Sequence, residues 1–134
     1  MAHLRRMTYH VTRYYPDHEK RAETALYRRT RHQLVVVEKR PCWICGTRQT
    51  LECHHFYVEW SDQNAVDWDK FMAAHPDLVD WAALDDPSDF VDMVPNMTIL
   101  CAKHHRHVNH GIHMVPYPSW ELQRHMKAGF KFAN

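Results

Sequence analysis

Two residue pairs stand out for the chemistry they could do. Cys42-Trp-Ile-Cys45 and Cys101-Ala-Lys-His104 each set two metal-ligating side chains three positions apart. A tetrahedral structural zinc takes four soft or borderline ligands, commonly one pair from a turn and one from the start of a helix. The first pair has Gly46 just behind it, as a turn requires. The second has helical i, i+3 spacing, so both side chains share a face. Cys42, Cys45, Cys101 and His104 are therefore the expected ligands of a structural Zn2+. The competing account is buried thiols and an unrelated histidine. It would suffice for one Cys-x-x-Cys, but two matched pairs flanking a compact segment weigh against it. Cys53, the remaining cysteine, reads as a small core residue.

The 13 histidines crowd into two places, His54–His55 and His104–His113. If His54-His55 ends a strand, the two rings point to opposite sides, one toward a metal and one toward a water. His105 follows His104 and, on a helix, is turned about 100 degrees away from it, free for a second site. Asn109 is at i+4 from His105, on the same face. Hydrolysis of a phosphodiester needs a base for water, a cation for the leaving oxygen and groups that orient both. His55, a metal on His54 and His105, and Asn96 as an orienter would supply them. A sensor site, or solvated histidines with no task, would draw on the same residue types.

These side chains need elements to hold them. Pro16-Asp17 opens an expected helix to about His32, with a thin apolar stripe of Ala22, Ala25 and Leu26. Leu34–Val37 could end that helix or form a strand, and Pro41 breaks it. Leu51–Val58 reads as a strand. An acidic stretch follows, with one helix around Val66, Phe71 and Met72 ended by His75-Pro76. A shorter helix is expected around Leu78, Trp81 and Leu84. Met97–Leu100 reads as a strand, and Cys101 to about His110 as a helix that Gly111 terminates. Ser119 is the expected N-cap of a last helix, Trp120–Ala128, stopped by Gly129.

A chain of 134 residues, 45% hydrophobic, suits one domain with a modest core and excludes a disordered tail. No long apolar run suggests a membrane span, and the N-terminus lacks the apolar stretch of a secretory signal. A cytoplasmic protein is the expectation. The net charge of +1 hides an asymmetry. Residues 1–40 hold ten basic residues against four acidic, and residues 59–92 hold one against ten. The basic arm could follow phosphates or be a solvated helix.

Taken together, CWICG, LECHHF and NMTILCAKHHRHVNHG resemble the HNH endonuclease family, the zinc-knuckle branch of the ββα-metal (His-Me finger) nucleases. The resemblance covers residues 42–58 and 94–111. It implies His55 as general base, His54 and His105 as ligands of a catalytic divalent ion, and Asn96 as the brace that helps orient the base. It also implies that Cys42, Cys45, Cys101 and His104 hold the structural zinc. Lys103 and Arg106, with Arg28 and Arg29 of the basic arm, would meet phosphates, although a solvated helix face accounts for Lys103 and Arg106 equally well. Many relatives carry a histidine four residues beyond the one matching His105. Here that position is Asn109, which as a third ligand would favour Mg2+ or Mn2+ over Ni2+ or Zn2+. The stretch between His55 and Asn96 is long for the family. Its charge would repel DNA, so it is expected on the far side, or as a partner-binding or substrate-excluding element. Trp60, Trp68 and Trp81 read as its core.

The expectation is thus one α+β domain over residues 1–134, with a small ββα-metal core (41–58 and 94–113), a structural zinc knuckle and flanking helices. A basic extension (1–40), an acidic insert (59–93) and a C-terminal helix (114–134) surround the core. The expected activity is metal-dependent cleavage of DNA. A homodimer, or a phage or host partner docking on the insert, would fit it. By analogy with free-standing family members, the enzyme would be phage-type and act in the host cytoplasm. The rival expectations are a zinc-bearing nucleic-acid-binding module and a protein-interaction adaptor, both without cleavage. A thiol oxidoreductase is the least favoured, because no βαβ pattern surrounds Cys42 and Cys45.

Overall fold

Two antiparallel strands, β1 (Leu51–His55) and β2 (Met97–Cys101), pair in register from Leu51 opposite Cys101 to His55 opposite Met97. They are the centre of a computed structural model that describes residues 2–134. Around them lie α1 (Ala25–His32), α2 (Trp68–Ala74), α3 (Ala102–Arg106) and α4 (Ser119–Leu122). The architecture is α+β. No helix among the described residues is long and apolar enough to cross a membrane.

A two-stranded ribbon alone is marginal in water, and here both of its faces are covered. Alternation sends Cys53, Met97 and Ile99 to one face, where they bury against Tyr27 and Leu34. Leu100 goes to the other face and packs with Cys42, Ile44 and Trp120. Tyr27 also donates its hydroxyl to the Cys53 carbonyl at 3.0 Å.

Helix α1 begins later than the sequence suggests, at Ala25 rather than Pro16. Residues 17–24 offer no continuous apolar stripe, and a helical turn without tertiary packing does not sustain itself. Thr24 is the N-cap, its Oγ1 accepting from the Tyr27 N–H. The buried positions are Tyr27, Thr30 and Leu34, at i, i+3 and i+7, not the stripe of Ala22, Ala25 and Leu26. Gln33–Val37 continues the helix as a wider π turn, so Leu34–Val37 is no strand.

β1 stops at His55 instead of Val58 because the Asn96 side chain takes over the backbone. Its Oδ1 accepts from Tyr57 N–H at 2.8 Å and Val58 N–H at 3.0 Å, and its Nδ2 donates to Val58 and Val91 carbonyls. In the acidic insert, α2 ends at its C-cap His75, and a 3-10 turn (Trp81–Ala83) replaces the second expected helix. Trp68, Phe71, Trp81 and Phe90 stack on one another as the insert's own core. Trp60 instead meets His18 of the N-terminal arm, edge to face at 5.3 Å.

Helix α3 is five residues long, not the ten expected. His107 turns extended, and the chain folds back so that Ile112 N–H reaches the His104 carbonyl at 3.0 Å. Gly111 permits this return. A Cβ there would sit 2.7 Å from the His105 carbonyl oxygen and 2.8 Å from two backbone atoms of Arg106. Helix α4 spans Ser119–Leu122 with Pro118 as N-cap, because only Trp120 and Gln123 of this stretch are buried and nothing holds later turns. Gly111→Ala should therefore destabilise by about 1–3 kcal/mol through overpacking. Gly129→Ala has open space around its Cβ and meets only the strain of a φ of +81°. Urea melts of both variants check this, with Gly111→Ala expected to lower the midpoint more.

Candidate metal centres

Cys42, Cys45, Cys101 and His104 converge, with their ligand atoms all within 4.8 Å of one another. The knuckle closes through Gly46 N–H to the Cys42 carbonyl at 2.9 Å, with Gly46 at φ +77°. The Trp43 N–H bonds the Ile99 carbonyl at 2.9 Å and fastens the knuckle to β2. Cys101 ends β2 and His104 lies one turn into α3.

The geometry suits zinc. A tetrahedral ion with Zn–S near 2.3 Å and Zn–N near 2.0 Å sets sulfurs about 3.8 Å apart and S···N about 3.6 Å. Cys45 Sγ and Cys101 Sγ are 3.9 Å apart, and Cys101 Sγ and His104 Nδ1 are 3.3 Å apart. The thiols also need a cation. Burial opposes ionisation of Cys42, yet hydrogen bonds from His104 and nearby backbone bring it down to about 6. Burial, with the Cys42 charge beside it, pushes Cys101 up to about 11. Three sulfurs this close do not all ionise unless a positive charge sits among them. The Cys3His cluster fits a structural zinc, and the expected ligand set comes together complete.

The second cluster is His54, His105 and His113, again within 4.8 Å. His105 Nε2 and His113 Nε2 are 3.0 Å apart. The His54 ring centroid is 5.0 Å from each of the others. Burial, and then the rings of His105 and His113, push His54 down to about 3, so its ring is neutral and offers a lone pair. Burial also holds His113 below its usual value. Glu52 Oε1 lies 2.8 Å from His105 Nδ1 and 2.8 Å from Arg106 Nε. An ionised carboxylate only accepts, so Nδ1 carries the proton and Nε2 faces the cluster with its lone pair. Against its partial burial, these two contacts hold the Glu52 carboxyl below the usual range. Glu59 Oε1 stands 3.6 Å from His54 Nε2.

Asn109 is outside this cluster. Its expected place at i+4 from His105 depended on a helix that continues, and α3 ends at Arg106. It is exposed, and its side chain reaches the Asn134 carbonyl at 3.4 Å. The fold-back over Gly111 brings in His113 instead. His113 lay in the histidine-rich stretch already noted, and only the close approach at Gly111 would have singled it out.

His55 faces the opposite side of β1 from His54. It is 3% exposed, with Tyr27 beside it at 5.6 Å between ring centroids. Its Nε2 is 2.9 Å from Asp92 Oδ1. Asp92 Oδ2 accepts from Thr24 Oγ1 at 2.6 Å, and the Asp92 carbonyl from Thr30 Oγ1 at 2.7 Å. Burial works against the Asp92 charge, but the His55 and Thr24 contacts hold its carboxyl below the usual range. The insert therefore does not lie wholly on the far side, because Glu59 and Asp92 at its two ends approach His54 and His55. Neither Asp92 nor Glu52 has a local spacing signal, since their partners are 37 and 53 positions away.

The candidate phosphate contacts are scattered. Lys103 is exposed on α3, and Arg106 is tied to Glu52. Arg28 and Arg29 line a surface groove with Ala25, His32 and Gln33, and none of the clustered histidines takes part in it. His110 is buried and structural, held by Gln123 Oε1 at 2.7 Å.

Fold and side chains together define a small α+β protein with a Cys3His group suited to zinc and a three-histidine cluster 4.8 Å across or less. No family model, curated protein or solved structure matches this chain. Metal content should separate the two clusters. Wild-type protein dialysed against Zn2+ should hold two ions by elemental analysis. Cys101→Ser should lose one and melt many degrees lower. His105→Ala should lose the other and melt within a few degrees of wild type.

Proposed function

We propose that this protein is a metal-dependent endonuclease of the HNH type, with a ββα-metal core formed by β1, β2 and α3, and that DNA is its substrate. One observation carries the reading. The ribbon and helix that the Cys3His cluster ties together carry His54 and His105, the return over Gly111 brings His113 to them, and the next strand residue, His55, is held by Asp92. A nuclease needs that combination of a rigid closed site, an adjacent ion site and a fixed histidine base.

His55 is the base for the attacking water. Asn96, fully buried, braces the turn after His55 through three hydrogen bonds to Tyr57 and Val58, with a fourth to the Val91 carbonyl. His54, His105 and His113 would hold a divalent ion, which supplies a Lewis acid for the leaving oxygen when bound. Two nitrogens sharing an ion at about 2.1 Å with perpendicular bonds are about 3.0 Å apart, as His105 and His113 are. With His113 in the place foreseen for Asn109, the protein donors are all nitrogen. That favours Ni2+ or Zn2+ over Mg2+ or Mn2+. Lys103 and the basic arm, with Arg28 and Arg29, carry the positive charge that would meet the backbone.

The low exposure of His55 favours a second reading, a zinc-bearing nucleic-acid-binding module without cleavage. Plasmid nicking by metal-stripped protein re-supplied with Mg2+, Mn2+, Ni2+ or Zn2+ decides between them. The nuclease reading expects nicking that falls at least about 100-fold in His55→Ala with DNA binding unchanged. Binding without nicking under every ion would leave the module reading in its place.

A further inference from the structure

Asp92 closes the acidic insert against His55, the β1 histidine that belongs to neither metal cluster. We infer that Asp92 fixes the proton of His55 on Nε2 and so makes Nδ1 the nitrogen that faces the attacking water. The inference rests on the reading of His55 as the base and adds Asp92 as its positioning residue.

The carboxylate is itself held from three sides. Oδ1 faces His55 Nε2, Oδ2 takes the Thr24 hydroxyl, and the Asp92 backbone carbonyl takes the Thr30 hydroxyl. Thr24 and Thr30 belong to the cap and the buried face of α1, so the helix sets the carboxylate as firmly as it sets Tyr27. A carboxylate accepts and does not donate, so the hydrogen between Asp92 and His55 sits on Nε2. A neutral ring with Nε2–H has its lone pair on Nδ1. Among the described residues Nδ1 has no hydrogen-bond partner, and no buried side-chain nitrogen or oxygen lacks one. Nδ1 is therefore the ring atom that keeps contact with solvent in an otherwise covered side chain. Tyr27 lies on the ring's flank, 5.6 Å away between centroids.

In the step, Nδ1 takes a proton from water and the water oxygen bonds to phosphorus. The P–O bond to the leaving oxygen breaks, and that oxygen takes a proton from solvent. The ring then carries a proton on each nitrogen, with Asp92 opposite Nε2. Loss of the Nδ1 proton to solvent restores it.

The test is 15N spectroscopy of the histidine rings at mildly alkaline pH, with the His55 signals assigned against His55→Gln, alongside nicking kinetics. Wild-type His55 should show a protonated Nε2 and an unprotonated Nδ1. In Asp92→Ala the proton should distribute over both nitrogens. Its kcat should fall at least about tenfold, with KM and zinc content within about twofold of wild type. A purely structural Asp92 would lower the melting point and leave the tautomer alone. A wild-type ring protonated on Nδ1 overturns the inference, and so does an Asp92→Ala protein with unchanged tautomer and kcat. The wild-type spectrum decides even if Asp92→Ala fails to fold. Absence of nicking by the wild type would remove the nuclease reading, while the spectrum would still decide whether Asp92 sets the His55 proton.

Discussion

Along β1 successive side chains leave on opposite faces, and the separation of the two histidines follows from that alternation. Glu52 and His54 belong to the side of α3, where His105 waits, and Cys53 and His55 to the side of α1. A register slip of one residue would exchange the faces and dismantle both arrangements at once. The pairing is fixed at one end by the Cys3His cluster on Cys101 and at the other by Asn96, whose amide replaces the strand ladder just past His55. Asn96 is fully buried with its amide hydrogen-bonded throughout, and the cluster is buried except at Cys45.

Stability and the proposed chemistry thus fall to different parts of a short stretch of chain. The closed cluster joins knuckle, strand and helix, and Trp120 covers it, donating Nε1–H to the His104 carbonyl at 2.9 Å and stacking on Trp43. Arg124 lies 4.0 Å over the Trp43 ring and fixes the outer surface of that stack. The three-histidine cluster has no such cover, since His113 is exposed and His105 only partly buried. On the proposed reading that opening would admit substrate, while the rigid neighbour keeps the donors in place.

The sequence made the local features legible. Cys42, Cys45, Cys101 and His104 could be read because ligand pairs on a turn and on a first helical turn have fixed spacing, and β2 because its apolar run is short and bounded. The partners that come from afar were not legible. Asp92 and Glu52 meet their histidines through tertiary packing, which leaves no periodic trace. Asn109 was drawn in by assuming that α3 continues, whereas the return over Gly111 ends it and delivers His113. The start of α1 is illegible for a related reason, because its cap Thr24, besides accepting from Tyr27 N–H, is anchored by the distant Asp92.

The central claim is that two ion sites of different character stand side by side on β1, β2 and α3. Crystals grown with Mn2+ and Zn2+, with anomalous diffraction recorded on either side of the zinc edge, test it most directly. The account predicts a zinc peak enclosed by Cys42, Cys45, Cys101 and His104, and a second anomalous peak bounded by His54, His105 and His113. Its protein ligands should leave at least one position open to solvent. A single peak at the cysteines, with the three imidazoles hydrogen-bonded to one another and no ion among them, would contradict it.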